Sequence, residues 1–192
     1  MRYQRSLYAE ALDAFDRVAG ELPGGLDAEL PMLKAQAYLA LGRFDAAVAL
    51  LDGWQGPASW VAYARYNLGV ALLRLDRTEE AIRQLEQLGR GAADTAELRD
   101  LRDKANLALG YLWLQLGRDS EARPVLARVR LNGPFSAKAL LGAGWADAAT
   151  QDYRAALTPW LELRERDLLD SAVQVGSDTS TYKMAGTERS EK

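Results

Sequence analysis

The sequence predicts an all-α protein built from repeated antiparallel helix pairs, and three observations carry that prediction. An alanine recurs at Ala11, Ala47, Ala81, Ala122 and Ala156, in steps of 36, 34, 41 and 34 residues. Twelve residues before each of the last four stands a small residue: Ala35, Gly69, Gly110 and Gly144. Four residues after each alanine comes a bulky apolar one (Phe15, Leu51, Leu85, Leu126, Trp160), and three further on another (Val18, Trp54, Leu88, Val129, Leu163). Offsets of three and four are helical.

Each helix pair, A then B, follows from that register. A glycine inside a helix costs roughly 1 kcal/mol against alanine. Its recurrence at Gly69, Gly110 and Gly144 therefore needs a compensating gain. Close approach of A and B at the small residue and the alanine supplies it, because a larger side chain there opens voids on either side. The pairs are expected at about 29–54, 60–90, 96–130 and 136–167, with a lone B helix before them. "MRYQRS" is expected to be the tail of an A helix. Gly42 and Gly117 stand where the A helix ends in a left-handed residue. Asp76 and Gln151 occupy the same place in the other two pairs, and Asp76 with Glu79 could form a capping box. The 41-residue step holds seven extra residues, expected to lengthen the third A helix backward by about two turns. Pro23, Pro57 and Pro134 follow B helices, with glycines 24 and 25 in a turn. Pro124 and Pro159 fall inside B helices, where proline removes a hydrogen bond and kinks the chain. After a short A-like segment at 168–174, residues 175–192 lack periodicity and are expected to be disordered. Neither end carries a polar cap, so the chain could be truncated at both.

This small–alanine–bulky register resembles the tetratricopeptide repeat, a helix–turn–helix unit of 34 residues. The resemblance covers about Met1 to Asp167, although Pro31, Arg65, Asn106 and Leu140 stand where the family places a tryptophan. It implies a right-handed α-solenoid of about four full repeats plus a leading half-repeat, in one array over 1–174. It also implies a non-enzymatic scaffold or adaptor that binds a protein or peptide partner.

Composition agrees. Of 192 residues 48% are apolar, enough for a core, and the net charge is −3 with basic and acidic residues interspersed. No basic patch points to nucleic acid, and no apolar run is long enough to cross a membrane. With no cysteine and no histidine, the chain lacks thiol chemistry and the commonest general base and metal ligand. No cofactor or metal is expected. Glu97, Asp100 and Asp103 alternate with Arg99, Arg102 and Lys104 and read as a solvated, salt-bridged face. "ELPGGLD" lacks the Lys-Ser/Thr of a phosphate loop. Ser59, Ser120, Ser136 and Ser171 have no histidine to activate them. No signal peptide begins the sequence, but a truncated N-terminus could have lost one. Bacteria use the repeat in cytoplasm and periplasm alike, so both compartments stay open.

In the family, ligands lie on the face formed by A helices, one position after the small residue and one turn either side. Carried over, the expected groove is Tyr63, Tyr66, Val70, Leu73 and Arg74, then Lys104, Leu107, Tyr111, Leu114 and Gln115, then Lys138, Leu141, Trp145 and Ala148. The lysine–asparagine clamp that some such arrays use for a terminal carboxylate is not implied, since those positions are mostly Tyr, Leu and Trp. An apolar, aromatic face suits an amphipathic helix or extended apolar peptide. A helix of the same chain could fill it equally well. Helical angle separates Leu107, Tyr111 and Leu114 from Leu109 and Trp113, which face the partner helix. Trp54, Trp60, Trp113 and Trp160 are expected in packing roles. Two further readings stand beside the scaffold: a homo-oligomer assembled through the uncapped ends, and a regulatory domain of a larger enzyme or envelope protein.

Overall fold

A computed structural model describes residues 2–17 and 26–166. These residues form α1 (Arg2–Arg17), α2 (Leu26–Leu41), α3 (Phe44–Leu51), α4 (Ala58–Arg74), α5 (Thr78–Arg90), α6 (Ala96–Gln115), α7 (Asp119–Leu126), α8 (Ser136–Ala149) and α9 (Tyr153–Arg164), with no strand among them. They gather into two compact units, Met1–Ala92 and Ala93–Lys192. The expectations at Val18, Pro23, glycines 24 and 25, Ser171, 168–174 and 175–192 lie outside the described residues.

Four hairpins, α2–α3, α4–α5, α6–α7 and α8–α9, are the predicted pairs. All four turn in the same way. Gly42, Asp76, Gly117 and Gln151 have φ of 75°, 58°, 69° and 64°. In each, the amide of the next residue bonds back five positions: Arg43 to Tyr38, Arg77 to Leu72, Arg118 to Trp113, Asp152 to Asp147, at 2.8–3.0 Å. This is the Schellman closure, which satisfies carbonyls orphaned at the helix end. Two of the closing arginines also lie over the aromatic ring they bond back to, Arg118 at 4.2 Å from the Trp113 ring and Arg43 at 5.2 Å from that of Tyr38. The expected Asp76–Glu79 capping box is not formed. Asp76 is the left-handed residue, Arg77 occupies the N-cap of α5, and Arg77 pairs with Glu80 at 2.7 Å.

The recurring alanines Ala47, Ala81, Ala122 and Ala156 are fully buried, as is Ala35. Opposite them, a Cβ added at Gly69 would lie 3.0 Å from Leu85, and one at Gly110 2.5 Å from Leu126. At Gly144 it would lie 2.0 Å from Trp160 Nε1. The small residues are contact points between the helices of a pair, as their recurrence predicts. Each B helix also packs on the next A helix within its unit, α1 on α2, α3 on α4 and α7 on α8.

Three boundaries differ from expectation. Arg2–Ser6 continues into α1 as one helix, so "MRYQRS" is no A-helix tail. The helix α2 begins at Leu26, with Pro31 inside it rather than near its first turn. The seven extra residues are shared: α5 runs nine residues past Ala81 where α3 runs four past Ala47, and α6 begins only three residues further from its glycine than α4 does. The start of α6 is set by Thr95, whose hydroxyl accepts the Leu98 amide.

Candidate functional site

In the first unit α2 and α4 lie side by side, and in the second α6 and α8 do. Tyr63, Tyr66, Val70 and Leu73 of α4 are half-buried and Arg74 is exposed. Tyr63 and Leu73 pack against the unit's core, Tyr63 with its ring 5.4 Å from that of Trp60. The Arg74 guanidinium lies 5.6 Å over the Phe44 ring. Burial raises the Tyr66 hydroxyl above its ordinary pKa.

In the second unit Leu107, Tyr111 and Leu114 are half-buried, whereas Leu109 and Trp113 are buried in the core. The helical angle thus separates the two faces of α6 correctly. Lys104, Gln115 and Lys138 are exposed. Tyr111 reaches across to α8: its hydroxyl donates to the Lys138 carbonyl at 3.0 Å, and its ring lies 3.1 Å from the point where a Cβ on Gly142 would stand. Burial raises the Tyr111 pKa as well. Trp145 is half-buried and meets Trp160 edge-on, ring centroids 5.6 Å apart. Trp160 crosses Gly144 and donates its indole N–H to the Leu141 carbonyl at 3.4 Å. Leu141 and Ala148, expected on the same face, are instead buried, Leu141 in a cluster with Ala137, Leu140 and Leu163.

The acidic run is more than a solvated face. Asp103 is completely buried, and Arg130, from the segment between α7 and α8, donates Nε–H to its Oδ2 at 2.6 Å. The same guanidinium bonds Asp100, and these two carboxylates raise the Arg130 pKa further. Arg166 grips the other end of that segment, donating to the Leu131 carbonyl at 3.1 Å and to Ser136 Oγ at 2.8 Å. No sequence signal pairs Asp103 with a residue 27 positions away. Among the described residues no group of three or more carboxylates could hold a metal ion.

Each unit also has a cleft between successive B helices. In the second unit it measures about 330 Å3 and is lined by Leu126, Val129, Ala143 and Pro159 among others. In the first it is about 210 Å3, and Leu51, Trp54, Leu68 and Gln84 stand at the same repeat positions. Val129 and Ala143 replace Trp54 and Leu68, and smaller residues leave more space.

These features define a helical-repeat protein whose A-helix faces carry half-buried aromatic and aliphatic side chains beside exposed cations. Two tetratricopeptide repeat models match the chain, over residues 3–57 and 32–97. Over residues 3–97 the chain consists of tetratricopeptide repeats. Repeats of this family commonly mediate protein–protein interaction and are generally non-catalytic. No curated protein matches the chain. No described helix is long and apolar enough to cross a membrane.

Proposed function

We propose that the protein is a non-enzymatic scaffold that holds a segment of a partner protein against its A-helix faces. The observation that carries this reading is the half-buried row Leu107, Tyr111 and Leu114 on α6, flanked by exposed Lys104 and Lys138. A row that is neither core nor fully solvated, with an aromatic at its centre and cations at its edge, suits an amphipathic helix or extended apolar peptide with acidic flanks. The face of α4 formed by Tyr63, Tyr66 and Val70, with Arg74 at its edge, has the same chemistry in the first unit.

The test is affinity capture from the source organism with the wild type and a Leu107→Glu, Leu114→Glu variant. A specific partner lost from the variant, with the helical circular dichroism of the two proteins equal, supports the reading. Retention of the same partners by the variant would sink it.

A further inference from the structure

The last described helix has a second apolar face. Tyr153, Leu157 and Leu161 lie four residues apart on α9 and are 59%, 43% and 43% exposed. Repeat register says what covers such a face. Leu157 follows the recurring Ala156 by one position. The equivalents of Leu157 earlier in the chain are Leu12, Val48, Ile82 and Arg123, and all but Ile82, on the last helix of the first unit, have a following A helix in their own unit. Leu12 is buried in α1, which packs on α2. Val48 is buried in a cluster with Ala64 and Leu68 of α4. Arg123 pairs with Asp147 of α8 at 2.9 Å. For Leu12, Val48 and Arg123 the neighbour is the next A helix of the same unit.

A second position gives the same answer independently. Trp145 follows Gly144 by one position, as Tyr111 follows Gly110. The next A helix, α8, covers Tyr111, with the Lys138 carbonyl accepting from its hydroxyl and Gly142 against its ring. Trp145 and Leu157 therefore mark the place where one further A-type helix would lie, continuous with the α7–α8 and α6–α8 interfaces. The A-like segment that follows α9 at 168–174 stops short of such a helix. The two 22-residue steps from alanine to small residue, Ala47 to Gly69 and Ala122 to Gly144, put the next contact point at Asp178, within "GSDTST" (176–181), which has no apolar residue.

We propose that Trp145 and the α9 stripe Tyr153–Leu157–Leu161 dock an amphipathic helix of a partner protein, in the place of the next A helix. The docked helix carries a glycine or alanine where it crosses Trp145, as Gly142 does at Tyr111, and apolar residues against Leu157. This surface shares Trp145 with the A-helix face proposed above but requires none of its other residues.

The test uses the full chain and a fluorescein-labelled peptide of α8, Ser136–Ala149, as an A-type probe that carries Gly142, read by anisotropy. Saturable binding is expected, weakened at least tenfold by Leu157→Glu and by Trp145→Ala, and unchanged by the Leu107→Glu, Leu114→Glu variant. The last result separates this surface from the α6 face, so either can fail alone. Leu157 is exposed, so its variant should keep the wild-type circular dichroism and urea midpoint. Three outcomes overturn the proposal. One is no saturable binding, or binding indifferent to Leu157→Glu. Another is at least tenfold tighter binding to a chain ending at Arg166, which would make the chain's own tail the occupant. The third is self-association in sedimentation that Leu157→Glu abolishes, which would make the occupant a second copy.

Discussion

An added Cβ would stand 2.0 Å from Trp160 at Gly144, 2.5 Å from Leu126 at Gly110 and 3.0 Å from Leu85 at Gly69. Those distances order the expected cost of three alanine substitutions. Helix propensity favours each by roughly 1 kcal/mol, while overpacking of a filled core costs about 1–3 kcal/mol. Gly144→Ala and Gly110→Ala are expected to destabilise by about 1–3 kcal/mol, and Gly69→Ala by less than either. Gly110→Leu, which cannot be accommodated without separating α6 from α7, is expected to exceed them. Urea denaturation measures all four, and a Gly110→Ala protein more stable than its parent would refute the close-contact explanation. The turns give a change of opposite sign. Gln151 holds φ of 64° at a place where two of the four hairpins use glycine. A left-handed conformation costs a residue with a Cβ roughly 1–2 kcal/mol, and glycine returns part of that gain as unfolded-state entropy. Gln151→Gly is expected to raise stability by about 0.5–1 kcal/mol, seen as a higher urea midpoint.

Between helices, the segment from Ala127 to Phe135 shows how elements without regular structure are held. Arg130 ties it to α6, and Arg166, beyond the end of α9, ties it to the start of α8. Asp103 is fully buried and Asp100 half-exposed, so the two carboxylates are not equivalent partners. A buried carboxylate stripped of its cation is far more costly than a surface one. Arg130→Ala is therefore expected to lower the urea midpoint more than Asp100→Ala. Equal midpoints would mean that the Asp103 contact contributes nothing. Tyr111 belongs to this scale too. It joins α6 to α8 through the Lys138 carbonyl while the residue stays half-buried. Tyr111→Phe separates packing from the proposed docking role: loss of one hydrogen bond costs roughly 1 kcal/mol of stability and leaves the apolar surface of the ring in place.

Across the whole molecule, composition sets the response to pH. The chain has no histidine and no cysteine, so no side chain of ordinary pKa titrates between the carboxylates and the tyrosines. Glu80 and Glu121 have pKa values lowered by Arg77 and by Ser120 with Arg118, respectively. Their contribution is present above the ordinary carboxylate pKa of 4.5 and is lost as pH falls through the lowered values. Tyr66 and Tyr111 have pKa values raised by burial, so their contribution is present below the ordinary value of 10.0 and is lost as pH rises. The melting temperature is expected to be flat between about pH 6 and 9 and to fall on both sides. Tyr66→Phe and Tyr111→Phe should each flatten the alkaline limb, whereas a transition inside the plateau would contradict the assignment.

Much of this protein was legible before any coordinates because its information is periodic or local. The alanine register located the hairpins, the recurring glycines located the helix contacts, and the turn positions predicted four left-handed residues, two of them not glycine. Helical angle told Leu107, Tyr111 and Leu114 apart from Leu109 and Trp113. The other features depend on residues distant in sequence, to which no periodicity points. Asp103 looked solvated because its neighbours along α6 are charged, and only packing brought Arg130 over it. Leu141 and Ala148 shared the helical angle of a binding face, and only the cluster around Leu163 and the neighbouring helices buried Leu141. Seven extra residues could have lengthened either helix, and the Thr95 cap divided them between α5 and α6. Sequence by itself determined which residues repeat and which helices pair, because those properties are carried by spacing along one chain. Tertiary structure alone decided which members of a repeated set are covered, because burial depends on what the next helix brings, and beside Leu157 the described helices bring none.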